Sequence, residues 1–209
     1  MFEEAHNVKK IGKKKEKEFL EPYTVTGAVT KGNIITKISL LIMGFGNIAH
    51  KQIGKGIMFL LVEIGYIWYM IKSGIYSLSM LPSLGWLEQE KVWNDKKSIY
   101  EYTAGHQSLL LLLYGVAAVF ITVMFIVAWR ESVKSAYKAE VLAKNGKHLK
   151  TFKEDIKSLL DQNLYKLLLA LPLVGILIFT VLPLLFNITM AFTNYSKVDD
   201  KLILFDWVG

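Results

Sequence analysis

The residues able to do chemistry are few and far apart. The four histidines, His6, His50, His106 and His148, are scattered and make no HExxH pair or ligand cluster of the kind a zinc site needs. The chain has no cysteine, so disulfides and thiolate ligands are both out of reach. Gly54-Lys55-Gly56 lacks the GxxxxGK(S/T) spacing and the hydroxyl of a phosphate-binding loop, and no GxSxG elbow is present. Nothing in these patterns argues for catalysis, and no catalytic, cofactor or metal residue is assigned.

Polar groups in apolar settings stand out instead. Glu63 lies in the middle of GIMFLLVEIGYIWYMI (56–71). An ionised carboxylate at a bilayer centre costs at least about 2.5–3.5 kcal/mol, so it should face protein or water. The favoured reading is a buried contact to another helix; the other is a lining position on a solute path. Asn187, Thr180 and Thr189 in 167–196 read as hydrogen bonders between helices. That run also holds Pro172 and Pro183, each of which removes a backbone hydrogen bond. They are eleven residues apart, close to whole helical turns, and so lie on one face. Pro172 is expected to mark a helix start and Pro183 to kink the helix. The run ends in a polar, aromatic exit, Ala191-Phe192-Thr193-Asn194-Tyr195.

The elements that carry these residues are set by the segregation of charge. The 209 residues are 53% hydrophobic, with a mean hydropathy of +0.34. Residues 109–129 and 167–196 hold no charged side chain. Each is long enough to cross about 30 Å of hydrocarbon at about 1.5 Å per residue. The expected class is an all-α, multi-pass membrane protein with three transmembrane helices and cytoplasmic amphipathic helices. Residues 1–33 form a polar, lysine-rich leader, expected to be disordered or loosely ordered. Residues 34–55 hold a short apolar segment, ISLLIMGFGNIA (38–49), too short to span and expected at the interface or buried. Spans are expected at 56–72, 107–129 and 167–192. Residues 73–106 form an external loop, 130–166 a cytoplasmic helical segment, and 193–209 the start of an external region. The abrupt finish at Gly209 suggests part of a longer polypeptide.

Orientation follows from lysine and arginine. Residues 1–55 hold ten, 73–106 three, 130–166 nine and 193–209 two. Cytoplasmic segments carry the excess, which places the N-terminus and 130–166 inside and 73–106 outside. Tyr66, Trp68 and Tyr69 near one border, and Trp129 and Tyr165 near the other, fit the aromatic belts.

Within 130–166, Thr151-Phe152-Lys153-Glu154 has capping-box spacing. Phe152, Ile156, Leu159 and Leu160 then share one helical face. Upstream, Val133, Tyr137 and Val141 repeat every four residues, and Asn145-Gly146 reads as the stop between two helices. A pair of helices at the cytoplasmic surface could receive a partner or rest on headgroups.

The segment 167–196 resembles the opening span of sugar-importer permease subunits of the ATP-binding-cassette class. The residues that carry the resemblance are Leu168 with Pro172, Phe179-Thr180 with Pro183, and Ala191 to Tyr195. It extends to FKEDIKSLLDQN (152–163) and LFDWVG (204–209). MGFGNIAHKQIGKG (43–56) is similar to the leader before the first span of the maltose/maltodextrin-type permease subunit. The resemblance implies a bacterial cytoplasmic-membrane protein that pairs with a second permease subunit. Two cytoplasmic ATPase subunits would drive it, and an external sugar-binding protein would deliver an oligosaccharide. No cofactor and no nucleic-acid partner are expected. In that family the matched prolines and exit motif are architectural, and the coupling loop and most sugar-contacting helices would lie beyond Gly209. The competing reading is a small membrane scaffold that recruits a cytoplasmic partner through 130–166.

Overall fold

The computed structural model describes residues 23–102, 105–161, 164–196 and 203–208. The leader's lysines at positions 9–17, His6 and Gly209 lie outside them. Three helices are long and apolar enough to cross a membrane: α4 (Ile53–Met80), α5 (Ser108–Lys144) and α7 (Leu164–Met190). Shorter helices are α1 (Val25–Lys31), α2 (Ile34–Ile38), α3 (Phe45–Ala49) and α6 (Phe152–Asp161). The described strands are β1 (Lys91–Asn94) and β2 (Ile99–Tyr102), an antiparallel hairpin. The class is all-α with three membrane-length helices.

Several boundaries differ from those expected. Residues 23–33 are ordered. Thr24 Oγ1 accepts the Gly27 N–H at 3.0 Å to start α1, and Asn33 Oδ1 accepts the Ile34 N–H at 2.7 Å to start α2. Burial decides this: Ala28 is fully enclosed, and Tyr23 meets Tyr137 edge to face. Helix α4 continues past Lys72 into the expected loop, through a π-helical turn at Met70–Gly74. The apolar residues Ile75, Leu78 and Met80 carry the run onward. The expected second span and the upstream half of 130–166 are one unbroken helix, because no glycine or proline interrupts 116–144. Two hydrogen bonds close α5 at the anticipated stop. The Gly146 N–H reaches Ala143 O at 3.1 Å and the Lys147 N–H reaches Leu142 O at 3.0 Å, with Gly146 at φ +63°. That is the paired C-terminal motif in which glycine avoids a steric penalty.

The capping box before α6 forms as its spacing predicts. Glu154 accepts the Thr151 N–H at 2.9 Å, and Thr151 Oγ1 accepts the Glu154 N–H at 3.4 Å. Phe152, Ile156 and Leu160 are exposed along α6, and the side chain of Leu159 is outside those described. In α7 Pro172 lies inside the helix, eight residues past Leu164, and not at its start. A π-helical turn at Leu177–Val181 directly precedes Pro183.

The chain divides into two compact units, Met1–Leu60 with Trp129–Leu149 and Leu61–Ala128 with Lys150–Gly209. In the first, α1 to α3 pack on the Trp129–Lys144 part of α5. Ser132, Val133, Ala136, Ala139 and Glu140 turn inward there. In the second, Leu84, Leu112, Val116 and Phe205 form a buried cluster, with Leu182, Phe186 and Met190 of α7 against it.

Candidate functional site

The exit motif is the expected feature that the second unit gathers most completely. Helix α7 ends at Met190, and the chain turns back on itself. Thr193 bridges Trp207 in antiparallel fashion. The Asn194 N–H donates to Asp206 O at 3.0 Å, Asn194 Oδ1 accepts the Asp206 N–H at 2.7 Å, and the Val208 N–H donates to Phe192 O at 2.8 Å. Tyr195 meets Phe205 edge to face at 5.4 Å. Phe205 is driven into the cluster with Leu84 and Leu112. Its N–H donates to Ser108 Oγ at 3.1 Å, while that hydroxyl donates to Leu84 O at 2.7 Å. Trp207 Nε1 donates to Leu81 O at 2.9 Å. This clasp joins the end of α7, the start of α5 and the chain after α4. The polar residues of the motif satisfy backbone groups where a helix leaves its ladder.

The other anticipated residues are not drawn together in this way. Glu63 is half-buried on α4, and Asn187 is exposed on α7. Thr189 Oγ1 donates to Leu185 O and Phe186 O of its own helix, at 3.0 and 2.8 Å. Pro172 and Pro183 both lie on the exposed surface of α7. Proline at 183 lacks the N–H that would reach Phe179 O. The adjacent π turn, closed by the Leu182 N–H to Leu177 O, widens the helix where that bond is missing. Between α4 and α5, Tyr66, expected only as a border aromatic, stacks on Phe125 at 3.8 Å, and its hydroxyl donates to Thr122 Oγ1 at 3.2 Å.

Sequence reasoning also missed Glu140. It lies well past the uncharged 109–129 stretch of α5 and is 2% exposed. Its carboxylate accepts the Asn33 N–H at 3.1 and 2.9 Å and the Thr36 hydroxyl at 2.5 Å, and pairs with Lys144. Burial works to raise its pKa, but Lys144, Thr36 and the Asn33 amide together hold it below the usual carboxylate range. The signal was present: Glu140 falls seven residues after Val133, on the inward side of that helix, with Lys144 one turn later. Around it Ser132 Oγ accepts the Gly44 N–H at 3.0 Å, Asn47 donates to Ser135 Oγ at 2.8 Å, and Trp129 Nε1 donates to Leu40 O at 2.9 Å. The GFGN stretch therefore lies close on α5. A Cβ on Gly46 would come within 2.8 Å of Ala136 Cβ. Among the described residues no His/Cys/Asp/Glu group could hold a metal ion.

No family model matches the chain, and no solved structure matches it. Curated proteins do. The chain is 27% identical over 173 residues to the maltodextrin transport system permease protein MalC of Streptococcus pneumoniae, covering 81% of this chain and 36% of that protein. It is 24% identical over 191 residues to the maltodextrin transport system permease protein MdxF of Bacillus subtilis, covering 90% and 39%. It is 27% identical over 176 residues to the galactooligosaccharides transport system permease protein GanP of the same organism, covering 81% and 37%. The chain thus spans less than two-fifths of the length of these relatives. The likeness that the α7 motifs carry is a likeness of most of the chain, and it is to the permease proteins of oligosaccharide transport systems.

Proposed function

We propose that the chain is the N-terminal part of a membrane permease subunit of an ATP-driven oligosaccharide importer of the maltodextrin type. It contributes scaffold helices rather than a catalytic site. The observation that carries this reading is the alignment with maltodextrin permeases over four-fifths of the chain or more. The three membrane-length helices support it. So does the clasp, which gives the matched exit residues a structural task. The partners in this reading are a second permease subunit, cytoplasmic ATPase subunits and an extracytoplasmic sugar-binding protein, in a bacterial cytoplasmic membrane. Pro172, Pro183 and residues 192–195 serve as architecture, and Glu63 and Asn187 as contacts between membrane helices.

The N-terminus and the Lys144–Lys150 turn face the cytoplasm in this proposal, and the hairpin faces outward. Lysine and arginine content supports that orientation. Three measurements test the reading. Cysteines at positions 95 and 147 are exposed to an impermeant thiol reagent in intact cells, and only position 95 should react. Disrupting the gene should abolish uptake of radiolabelled maltodextrin, and the encoded protein should co-purify with an ATPase. Labelling at 147 alone would overturn the orientation. Undiminished uptake with no ATPase recovered would overturn the permease reading in favour of a scaffold.

A further inference from the structure

Helix α6 carries an apolar face that the described residues leave open. Phe152, Ile156 and Leu160 are 36%, 40% and 52% exposed. At about 100° per residue the three fall within one narrow sector of the helix. Lys153 stands seven residues before Leu160 and so borders that sector. Asp155 borders the opposite edge, in the first turn, where a carboxylate suits the helix dipole. Glu154, Ser158 and Asp161 lie away from the apolar sector and line a shallow cleft with Lys150 and Lys157. Opposite charges therefore meet on the polar side. The far end of α6 is tied to α7. Two residues separate Asp161 from Leu164, so at most about 11 Å of chain joins the two helices. Leu164, Leu168 and Leu171 of α7 are exposed. Tyr165, with Lys166 Nζ at 5.6 Å from its ring centre, stands where α7 begins.

We propose that α6 lies in the plane of the membrane surface, with Phe152, Ile156 and Leu160 in the acyl boundary and Lys153 and Lys166 on the phosphates of anionic phospholipids. The size of the face favours lipid over a protein partner. A stable protein interface engages about 20–30 residues a side, and a stripe of three or four apolar side chains falls short of that. A lipid surface needs only such a stripe with lysines at its rim, their stems along the apolar side and their ammonium groups reaching phosphate. The short tether works the same way, because it keeps Leu160 within reach of the headgroup layer at the start of α7. Length adds a further reason. Helices below about 12–15 residues are marginal in water, and α6 has ten. A surface that takes up its apolar face supplies the missing stabilisation. In the orientation proposed above this is the cytoplasmic leaflet, where anionic lipid is concentrated. The inference rests on α7 crossing the membrane and not on what the chain transports.

The chain has no cysteine, so one introduced thiol carries one nitroxide spin label. The test uses the full chain in vesicles of phosphatidylcholine, with and without phosphatidylglycerol. Labels are placed through Phe152→Cys, Ile156→Cys and Leu160→Cys on the apolar side and Ser158→Cys and Asp161→Cys on the polar side. Power saturation then compares access by oxygen, which dissolves in lipid, with access by a nickel chelate, which stays in water. The ratio of oxygen to nickel access should be severalfold higher at the three apolar positions than at the two polar ones. In vesicles containing phosphatidylglycerol, Lys153→Glu with Lys166→Glu should lower the ratio at position 156 to its value in phosphatidylcholine alone, and Lys153→Arg should leave it unchanged. High nickel access at all five positions overturns the proposal in favour of a solvated helix. Low access by both reagents at the apolar positions overturns it in favour of a protein partner. A ratio at 156 that ignores both lipid charge and the lysine reversal overturns the phosphate contacts. A label at Val174→Cys, inside α7, is the control. Nickel access there would sink the membrane-spanning reading of α7 together with this one, whereas oxygen access there with a solvated α6 would sink this one alone.

Discussion

The two units are built on the same helix in opposite ways. At one end of α5, Ser108, Leu112 and Val116 recur every four residues and are buried among aliphatic and aromatic side chains. Further along, Ser132, Ala136 and Glu140 recur with the same spacing and are buried among backbone amides and hydroxyls. Large side chains keep neighbouring backbones apart and bury apolar area, about 25 cal/mol per Å². Small ones let the GFGN backbone come close enough to hydrogen-bond, and a buried carboxylate then finds its donors. The same four-residue spacing therefore supports an apolar clasp or a polar socket, and residue size decides which.

That contrast can be broken at either end. The largest effect is expected from Phe205→Ala, which removes a side chain 1% exposed from the apolar cluster. Substitutions of this kind cost about 3–5 kcal/mol. Hydrogen exchange at the Asn194, Asp206 and Val208 amides should accelerate, while the Asn33 amide keeps its protection. Glu140→Ala should do the converse. It strips the acceptor from the Asn33 amide and the Thr36 hydroxyl, at a cost of about 3 kcal/mol. Proteolysis should then open the chain near 30–50, with the exit clasp unchanged; equal loosening of both units would refute the separation.

Smaller changes sharpen the picture. Gly46→Ala forces a methyl against Ser39 Oγ and Ala136, and overpacking of this sort costs about 1–3 kcal/mol. A compensating Ala136→Gly should recover part of the loss, read as restored protection at the Gly44 amide. Acid should loosen the polar socket selectively. Glu140 is held below the usual carboxylate range by Lys144, Thr36 and the Asn33 amide, so its contribution is present above the unfolded pKa and is lost as pH falls through the folded pKa. Protection of the Asn33 amide should therefore be lost as acid protonates Glu140, and Glu140→Gln should remove the pH dependence. The mildest effect is expected from Asn194→Ala, which removes one side-chain acceptor from the Asp206 N–H, worth about 1 kcal/mol.

Local patterns were legible where the physics is local. The capping box at Thr151 and Glu154 and the stop at Asn145-Gly146 depend on residues within a few positions of each other. The membrane helices depend on runs of uncharged side chains. Helix ends were less legible: α4 and α5 run on past the apolar windows because polar residues such as Lys72 and Arg130 continue a helix as readily as they end a hydrophobic run. The order in 23–33 was not readable at all, because Glu140, the residue that receives the Asn33 amide, is 107 positions away.

The amino-acid order by itself determined that this protein has three membrane-length helices, where its positive charge is concentrated, and which short motifs liken it to oligosaccharide permeases, since each of these rests on neighbours along the chain. Only the tertiary structure decided that Phe205 closes over Ser108 and Leu84, and that Glu140 holds Asn33 and Thr36. Those contacts join segments distant in sequence, and their partners are chosen by packing in space, which no period along the chain encodes.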